Sequence, residues 1–351
     1  MISIRAPGPR NDTQSDGVPI SGENTTLPQL PPGAVFPLAL YRGFPDRFQV
    51  YEKIGEGGYG QVWRARARSA NEWVAIKFLR PELLLFNSRK PNQDFDHVVR
   101  RFQREAELTA RLTDESLGVA KVLETGGNAR MGIFYMMMDY IAGVPLDKLI
   151  LREKGLRPGL VSRYVLQVAR TLKYAHDFTW DDPQTGNQAR GIVHRDIKPG
   201  NIIIRQHDNA AILCDFGIAG IVEGAERLTL PHMQVCSYKY TAPEVLESND
   251  ISPATDMWGL AVTAYVALTG GRFPYPGATL LETLRNTQAG KLIPLDDSHG
   301  LVSDELKEFL HRALDPDPAR RLRTAEDFVR HLEPLVYSET DNSVFLSQNI
   351  S

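Results

Sequence analysis

The hydrophobic and polar positions of the chain change their spacing near Gly143. Before that point, apolar residues gather in short β-branched and aromatic runs separated by glycine or polar turns, which is typical of strands. The runs read "FQVYEKIG", "QVWRARA", "EWVAIKFL", "AKVLETG" and "IFYMMMDYI". One helix is predicted among them, because residues 94–112 repeat their apolar positions at helical spacing.

After Gly143 the apolar residues recur at the spacing typical of helices. The segments that show it are "RPGLVSRYVLQVARTLKYAH", "TDMWGLAVTAYVALTGG", "DELKEFLHRAL" and "AEDFVRHLEPLV". A strand-rich first part and a helix-rich second part predict an α+β protein with a small sheet lobe and a larger helical lobe. A cleft between two such lobes is where we expect a ligand to bind.

Composition narrows the class of protein. The 351 residues are 42% hydrophobic and 24% charged, as in an ordinary globular chain, and the net charge of −3 gives no sign of a nucleic-acid or membrane partner. Two cysteines are too few for a disulfide framework and fit a reducing compartment. The longest apolar-leaning stretch is shorter than the roughly 20 residues that span a bilayer. We therefore expect a soluble, cytoplasmic protein without a membrane span.

Residues 1–40 differ from the rest of the chain. They hold seven of the 23 prolines, mixed with Gly, Ser, Thr and Asn. Such a composition buries too little apolar surface to offset the entropy lost on ordering, so we predict a disordered leader. The folded part is expected over residues 48–335, with a polar tail at 338–351.

The segment "GEGGYGQV" places four glycines between two predicted strands. Glycines let a backbone approach phosphates closely and let its amides face anionic oxygens. Ordinary glycine-rich turns look the same, so both interpretations stay open for this segment alone. A dinucleotide-binding unit is excluded, because it would need a helix after the loop and the following residues predict a strand.

Lys77 lies inside an apolar strand pattern, where an ammonium group is costly unless it is paired. The alternative is that it points to solvent from an alternating strand. Glu105 follows Phe102 by three residues, which places its carboxylate on the buried-facing side of the predicted helix, in a position to pair with Lys77. Glu107 belongs to the arginine-rich face and is expected to be hydrated.

The stretch "IVHRDIKPGNIII" sets Asp196, Lys198 and Asn201 between two β-branched runs. A carboxylate that accepts a proton, a cation and an amide oxygen that ligates a metal are what transfer to a hydroxyl needs. A purely structural charged loop would not need all three. Asp215 of "CDFG" adds a second hard oxygen ligand for Mg²⁺ beside Asn201.

These motifs and their order resemble the eukaryotic-like (Hanks-type) protein serine/threonine kinases. The resemblance covers residues 48–335 and implies a bilobal protein-kinase fold, with a small β-rich N-lobe at about 48–138 and a larger, mostly helical C-lobe at about 142–335. It also implies transfer of the ATP γ-phosphate to Ser/Thr hydroxyls of proteins, including the chain itself, with ATP and Mg²⁺ as cofactors.

By this resemblance, Asp196 orients the acceptor hydroxyl and takes its proton, Lys198 stabilises the transferring phosphate, and Lys77 with Glu105 holds the nucleotide phosphates. Asn201 and Asp215 hold Mg²⁺. The glycines cover the phosphates, apolar side chains enclose adenine, and the backbones of two hinge residues hydrogen-bond it. The implied nucleotide-binding residues are Ile54, Gly55, Gly57, Gly60, Val62, Ala75, Lys77, Met138, Asp139, Ile141 and Ile203.

The resemblance also bears on the substrate. A lysine two residues after the catalytic Asp is typical of Ser/Thr-directed members. Glu244 of "APE" is implied to pair with Arg321, and Asp256 to anchor the catalytic loop through backbone amides. These features are those of kinases that act on proteins and disfavour a small-molecule kinase. An inactive scaffold is the other alternative, and the intact set of catalytic and metal-binding residues argues against it.

One segment departs from the usual family pattern, and one arginine bears on regulation. Residues 177–190 are longer than the usual short turn and are predicted to form a surface insertion, with partner binding as the alternative. Arg195 resembles the arginine of members that are switched on by phosphorylation of the activation segment. Within residues 218–236 Thr229 is the sole hydroxyl acceptor, so it is the predicted site.

Overall fold

The computed structural model describes most of the region expected to fold. The described residues are 48–57, 60–68, 71–79, 102–103, 106–112, 118–128, 133–181, 186–216, 237–248, 250–295 and 302–338. The predictions for the leader, for Glu105, for Thr229 and for nearly all of the polar tail lie outside these residues.

The N-terminal part is a five-stranded antiparallel sheet in the order β1-β2-β3-β5-β4. Its strands are β1 (Phe48–Gly57), β2 (Gly60–Ala67), β3 (Trp73–Leu79), β4 (Val122–Asn128) and β5 (Ile133–Asp139). Side chains alternate between the faces. Trp63 and Ile76 lie in the core on one face, whereas Ala75 and Met138 lie in the core on the other, with Phe102 and Ala106.

The C-terminal part is helical, as the period predicts. Its helices are α1 (Leu146–Glu153), α2 (Pro158–Asp177), α3 (Pro243–Ser248), α4 (Pro253–Leu268), α5 (Leu280–Gln288), α6 (Asp304–Ala313) and α7 (Ala325–Ser338). Every residue of α4 from Thr255 to Leu268 is buried, and α2, α6 and α7 pack around it. A helix buried on all sides forms the centre of a large core, which makes α4 a rigid base for the loops above it.

A second sheet of three short strands follows the hinge. β6 (Gly143–Pro145), β9 (Ile202–Arg205) and β10 (Ala211–Leu213) form a sheet in the order β10-β9-β6. A Cβ at Gly143 would overlap the carbonyl oxygen of Ile204, so glycine is required where the chain leaves the hinge, residues 139–142. The hinge therefore lies directly beside β9.

Within the predicted insertion at 177–190, the described residues form a hairpin of β7 (Thr179–Asp181) and β8 (Gln188–Arg190). The rings of Phe178 and Trp180 stack at its base, with centroids 6.3 Å apart. The expected bilobal α+β fold is confirmed. No helix in the described ranges has both the length and the apolar character to cross a membrane.

The expected pair of Glu244 and Arg321 is confirmed. Arg321 donates from Nη1 to Oε1 at 2.8 Å and from Nη2 to Oε2 at 3.0 Å, and its side chain is completely buried. Its Nε donates to the carbonyl of Asp315 at 2.9 Å, and its guanidinium lies 4.6 Å from the ring centroid of Trp258. This two-point ion pair ties α3 to the loop that precedes α7.

We expect Arg321→Met to lower the free energy of unfolding by about 3–5 kcal/mol, because the Glu244 carboxylate loses its partner in a buried site. Arg320→Met is the matched control, since that side chain is 70% exposed and its ion pairs are long, so the loss should stay below about 1 kcal/mol. Urea unfolding measures both. Equal losses in the two variants would contradict the structural role of the pair.

Candidate active site

The catalytic loop, residues 192–201, is held from below by Asp256 of α4. The Asp256 side chain is fully buried; its Oδ2 accepts from the backbone amide of His194 at 2.8 Å and its Oδ1 from that of Arg195 at 2.7 Å. His176 Nε2 lies 2.8 Å from Oδ2. Arg195 has a φ of 72°, a left-handed conformation that costs about 1–2 kcal/mol. The expected anchoring by Asp256 is confirmed, and these charge-assisted bonds offset that cost.

Asp196, Lys198 and Asn201 converge as their spacing predicts. Lys198 Nζ lies 2.8 Å from Asp196 Oδ2, and Asn201 Nδ2 donates to the same oxygen at 2.9 Å and to the Asp196 carbonyl at 2.8 Å. No described residue donates to Asp196 Oδ1, so that oxygen can accept a hydroxyl proton. Asn201 directs its amide nitrogen at Asp196, which leaves its side-chain oxygen for the predicted role of metal ligand.

Asp215 follows β10 and reaches the same place from a different strand. Cys214 donates its amide to the carbonyl of Asn201 at 2.8 Å, which brings Asp215 beside the catalytic loop with a φ of 56°. Burial acts to raise the pKa of the Asp215 carboxyl, but the ammonium groups of Lys77 and Lys198 outweigh burial and hold that pKa below its ordinary value. The carboxylate is therefore ionised at neutral pH, as a metal ligand must be.

Lys77 reaches Asp215 across the cleft. Its Nζ lies 3.1 Å from Asp215 Oδ1, and only 13% of the Lys77 side chain is exposed. The alternative of a solvent-facing lysine is wrong. The sequence predicts Glu105 as the partner, and Glu105 lies outside the described residues. The pair with Asp215 was missed, because its members are 138 positions apart and no local pattern connects them.

His194 connects the catalytic loop to the strand before Asp215. Its Nδ1 accepts from the amide of Asp196 at 3.3 Å, so Nε2 carries the proton and donates to the carbonyl of Cys214 at 3.0 Å. Burial lowers the pKa of His194 despite the nearby carboxylates of Asp256 and Asp196. The neutral ring satisfies both contacts. Sequence reasoning missed this role, because His194 belongs to a β-branched run with no visible partner.

The residues expected around adenine come from both lobes. Ala75 pairs with Met138 across neighbouring strands, and Val62 pairs with Lys77. Ala75 and Met138 are buried, whereas Ile54 is 45% exposed at the edge. Ile203 lies on β9 below the hinge, where its Cγ2 would be 2.8 Å from a Cβ at Gly143. These positions are compatible with apolar walls on two sides of a flat ring.

The hinge backbone supports one part of the predicted adenine contacts. The amide of Asp139 donates to the carbonyl of Lys121 at 3.0 Å, so the predicted contact of Asp139 with adenine falls to its carbonyl. Ile141 follows two residues later and is partly exposed. Contacts from both residues to adenine remain predictions.

Packing requires glycine at one position of the glycine-rich loop but not at another. β1 and β2 stay paired as far as Gly57 and Gly60, and residues 58 and 59 between them lie outside the described residues. A Cβ at Gly60 would lie 2.5 Å from the carbonyl oxygen of Phe78, so packing against β3 requires glycine there. At Gly55 the nearest atom would be Val62 Cβ at 3.7 Å, and packing imposes no such limit. A phosphate role therefore remains the prediction for Gly55 and Gly57.

The donor set fits a divalent cation. Asp215 offers a carboxylate and Asn201 an amide oxygen, which are hard ligands of the kind that Mg²⁺ takes when phosphate oxygens complete its shell. Lys77 and Lys198 add positive charge on either side. The cluster can therefore bind a phosphate chain together with a metal ion. It can also place the Asp196 carboxylate beside the hydroxyl of an acceptor.

Comparison with known proteins defines the class. Residues 48–332 match the family model of the protein kinase domain, and the chain belongs to the protein kinase family. It is 30% identical to a probable serine/threonine-protein kinase of Clostridium perfringens, over 83% of this chain and 38% of the relative. It is 32% identical to the serine/threonine-protein kinase PknA of Mycobacterium tuberculosis, over 80% of this chain and 59% of the relative.

A third relative carries a different name. The chain is 30% identical to the tyrosine-protein kinase MasK of Myxococcus xanthus, over 95% of this chain and 47% of that protein. The chain thus spans about half the length of the curated relatives it matches. The match covers both lobes described above.

We expect acid to destabilise the protein through His194. The folded state keeps this ring neutral while the unfolded chain binds a proton below about pH 6.5, so stability is present above that pH and falls below it by up to about 1.4 kcal/mol per unit. Urea unfolding between pH 7.5 and 5.5 measures the slope, which His194→Asn should reduce. His207→Asn is the control, because that side chain is 72% exposed. An unchanged slope in His194→Asn would contradict the assignment.

Proposed function

We propose that the chain is an ATP- and Mg²⁺-dependent protein kinase that transfers the γ-phosphate to serine and threonine hydroxyls of protein substrates. The observation that carries this proposal is the arrangement around Asp196, with Lys198 and Asn201 on one carboxylate oxygen and the other oxygen without a donor among the described residues. A carboxylate with one oxygen left to accept a proton, next to the ammonium group of Lys198, fits transfer of a phosphoryl group to a hydroxyl.

Each side chain then has a defined part. Bound ATP with Mg²⁺ supplies the phosphoryl group and neutralises charge on its oxygens. Asp196 orients the acceptor hydroxyl and accepts its proton at Oδ1. Lys198 Nζ stabilises negative charge on the transferring group, and Lys77 binds the α- and β-phosphates while it faces Asp215. Asn201 and Asp215 hold the metal. Most of the rate gain comes from position and charge, because the transferring group needs little covalent help.

Two observations support proteins as substrates. The Glu244–Arg321 pair and the Asp256 anchor are both formed, and both are features of kinases that act on proteins. The contact of Lys198 with Asp196 at 2.8 Å supports serine and threonine over tyrosine as acceptors. The relative named as a tyrosine-protein kinase makes tyrosine the second candidate. Phosphoamino-acid analysis of the labelled product separates the two.

Autophosphorylation at Thr229 is part of the proposal. Arg195 Nη1 is buried and has no hydrogen-bond partner among the described residues. Burial lowers the pKa of Arg195, and the charge of Asp256 opposes this shift. A buried guanidinium nitrogen without an acceptor favours an incoming anion, and a phosphorylated Thr229 would supply one. Mass spectrometry of active protein tests this part of the proposal. A Thr229 that is always unmodified in active protein would contradict it.

We expect Asp196→Asn to lower the rate of phosphate transfer from labelled ATP to a generic basic protein by about 10²–10⁴-fold, because the amide cannot take the proton. Binding of ATP should persist. Asp208→Asn is the matched control, since Asp208 pairs with Arg205 on the surface and its loss should leave the rate unchanged. Wild-type protein no faster than Asp196→Asn would contradict the proposal and favour an inactive scaffold.

A further inference from the structure

A groove runs along the hinge, and no residue of the catalytic loop lines it. It has a volume of about 620 Å³ and runs from the start of β3, past the hinge, to the turn after β9. The side chains that shape it include Trp73, Tyr140, Arg205 and His207. These four residues take no part in the chemistry proposed above, whereas Asp139 and Ile141, which also line the groove, are the hinge residues predicted to contact adenine.

The upper wall of the groove is aromatic and basic. Trp73 is 39% exposed, although it is one of the largest apolar side chains of the protein. The ring of Tyr51 meets it edge-on with centroids 4.9 Å apart, and the ring of Tyr140 lies 6.5 Å away. The guanidinium of Arg64 covers the Trp73 ring at 4.4 Å and that of Arg66 lies at 5.6 Å. Rigid aromatic walls of this kind are what proline-rich segments bind.

The chain itself supplies a matching segment. Residues 27–32 read "LPQLPP", which contains the PxxP spacing of a polyproline II ligand. Such a segment loses little entropy on binding, because proline already fixes the backbone. The segment itself is uncharged, and residues 11–26 before it carry Asp12, Asp16 and Glu23 and no basic side chain, so the charge next to the segment is opposite to that of the arginines around Trp73.

The path of the chain brings this segment to the groove. Gln49 of β1 pairs with Arg66 of β2, which pairs with Trp73 of β3. With strands about 4.8 Å apart, the backbone enters the sheet about 10 Å from Trp73. The 15 residues from Gly33 to Arg47 can extend up to about 50 Å, which is ample to turn back to the groove.

We propose that residues 27–37 of the leader bind in this groove of the same molecule, with the prolines against Trp73 and Tyr140. Binding in cis is favoured because the tether gives the segment a high effective concentration. Since the groove borders the hinge, an occupied groove would also alter nucleotide affinity. That consequence rests on the proposed function, whereas the binding itself does not.

Hydrogen–deuterium exchange of the full chain tests the binding without any use of activity. We expect the amides of Gln29, Leu30 and residues 33–36 to exchange about tenfold or more slowly than those of residues 11–18. Trp73→Ala, and separately a triple change of Pro28, Pro31 and Pro32 to Ala, should remove this protection. Leu151→Ala, at a side chain 66% exposed, and a double change of Pro7 and Pro9 to Ala are the controls that should keep it.

Three outcomes would overturn the proposal: no protection of residues 27–37 in the wild type, protection that survives Trp73→Ala, or protection that grows with protein concentration. The last would assign the groove to a second copy of the chain. Tyr140→Ala replaces Trp73→Ala if circular dichroism shows that the latter does not fold. Protection that is independent of concentration and lost in either groove variant supports binding in cis.

Discussion

The carboxylate of Asp256, buried in α4, holds the catalytic loop in a backbone conformation that the loop would not adopt alone. A buried carboxylate is costly unless it is fully hydrogen-bonded, and Asp256 meets this condition by accepting from the amides of His194 and Arg195. Those two bonds fix the left-handed turn at Arg195. Asp196 is the next residue, so its direction into the cleft is set by a side chain that touches no substrate.

From this anchor a continuous set of hydrogen bonds runs through the site. His194 accepts from the amide of Asp196 and donates to the carbonyl of Cys214, and Cys214 donates to Asn201. The next residue, Asp215, then meets Lys77 of the other lobe at 3.1 Å. Asp196, Asn201, Asp215 and Lys77, to which the proposal assigns the base, the metal ligands and the phosphate-binding cation, are thus positioned relative to one rigid helix. This preorganisation is what transfer by position and charge requires.

Much of the architecture could be predicted because it depends on local pattern. The period of "RPGLVSRYVLQVARTLKYAH" places α2 within a residue of its observed ends, and the β-branched runs predict the N-terminal strands. The roles of Asp256, Glu244 and Arg321 were predicted from family motifs. Such motifs carry information on contacts between distant residues, which the spacing of apolar residues in one sequence does not. The strand pair at Gln188–Arg190 was not predicted, because its residues have little β-propensity and it forms only by pairing with Thr179–Asp181.

The remaining contacts of the site join residues that are far apart in the sequence and could not be predicted from it. The Lys77–Asp215 pair spans the cleft, the requirement for Gly60 comes from the backbone of a neighbouring strand, and the proton on His194 is set by two partners on different segments. Each becomes visible only when the strands and loops are placed in space. The residue types that gather at the site could be predicted, and so could the contacts that family motifs record, whereas the other contacts between residues distant in sequence could not.

The most direct test of the central claim is the turnover rate of Asp256→Asn, which keeps the shape of the side chain and removes its charge. We predict that kcat for phosphate transfer falls by about 10²-fold, because the base is misplaced by a fraction of an ångström to an ångström. ATP affinity and the far-UV circular dichroism spectrum should remain close to those of the wild type. A folded Asp256→Asn protein with the full wild-type kcat would show that the buried carboxylate does not set the geometry of the site.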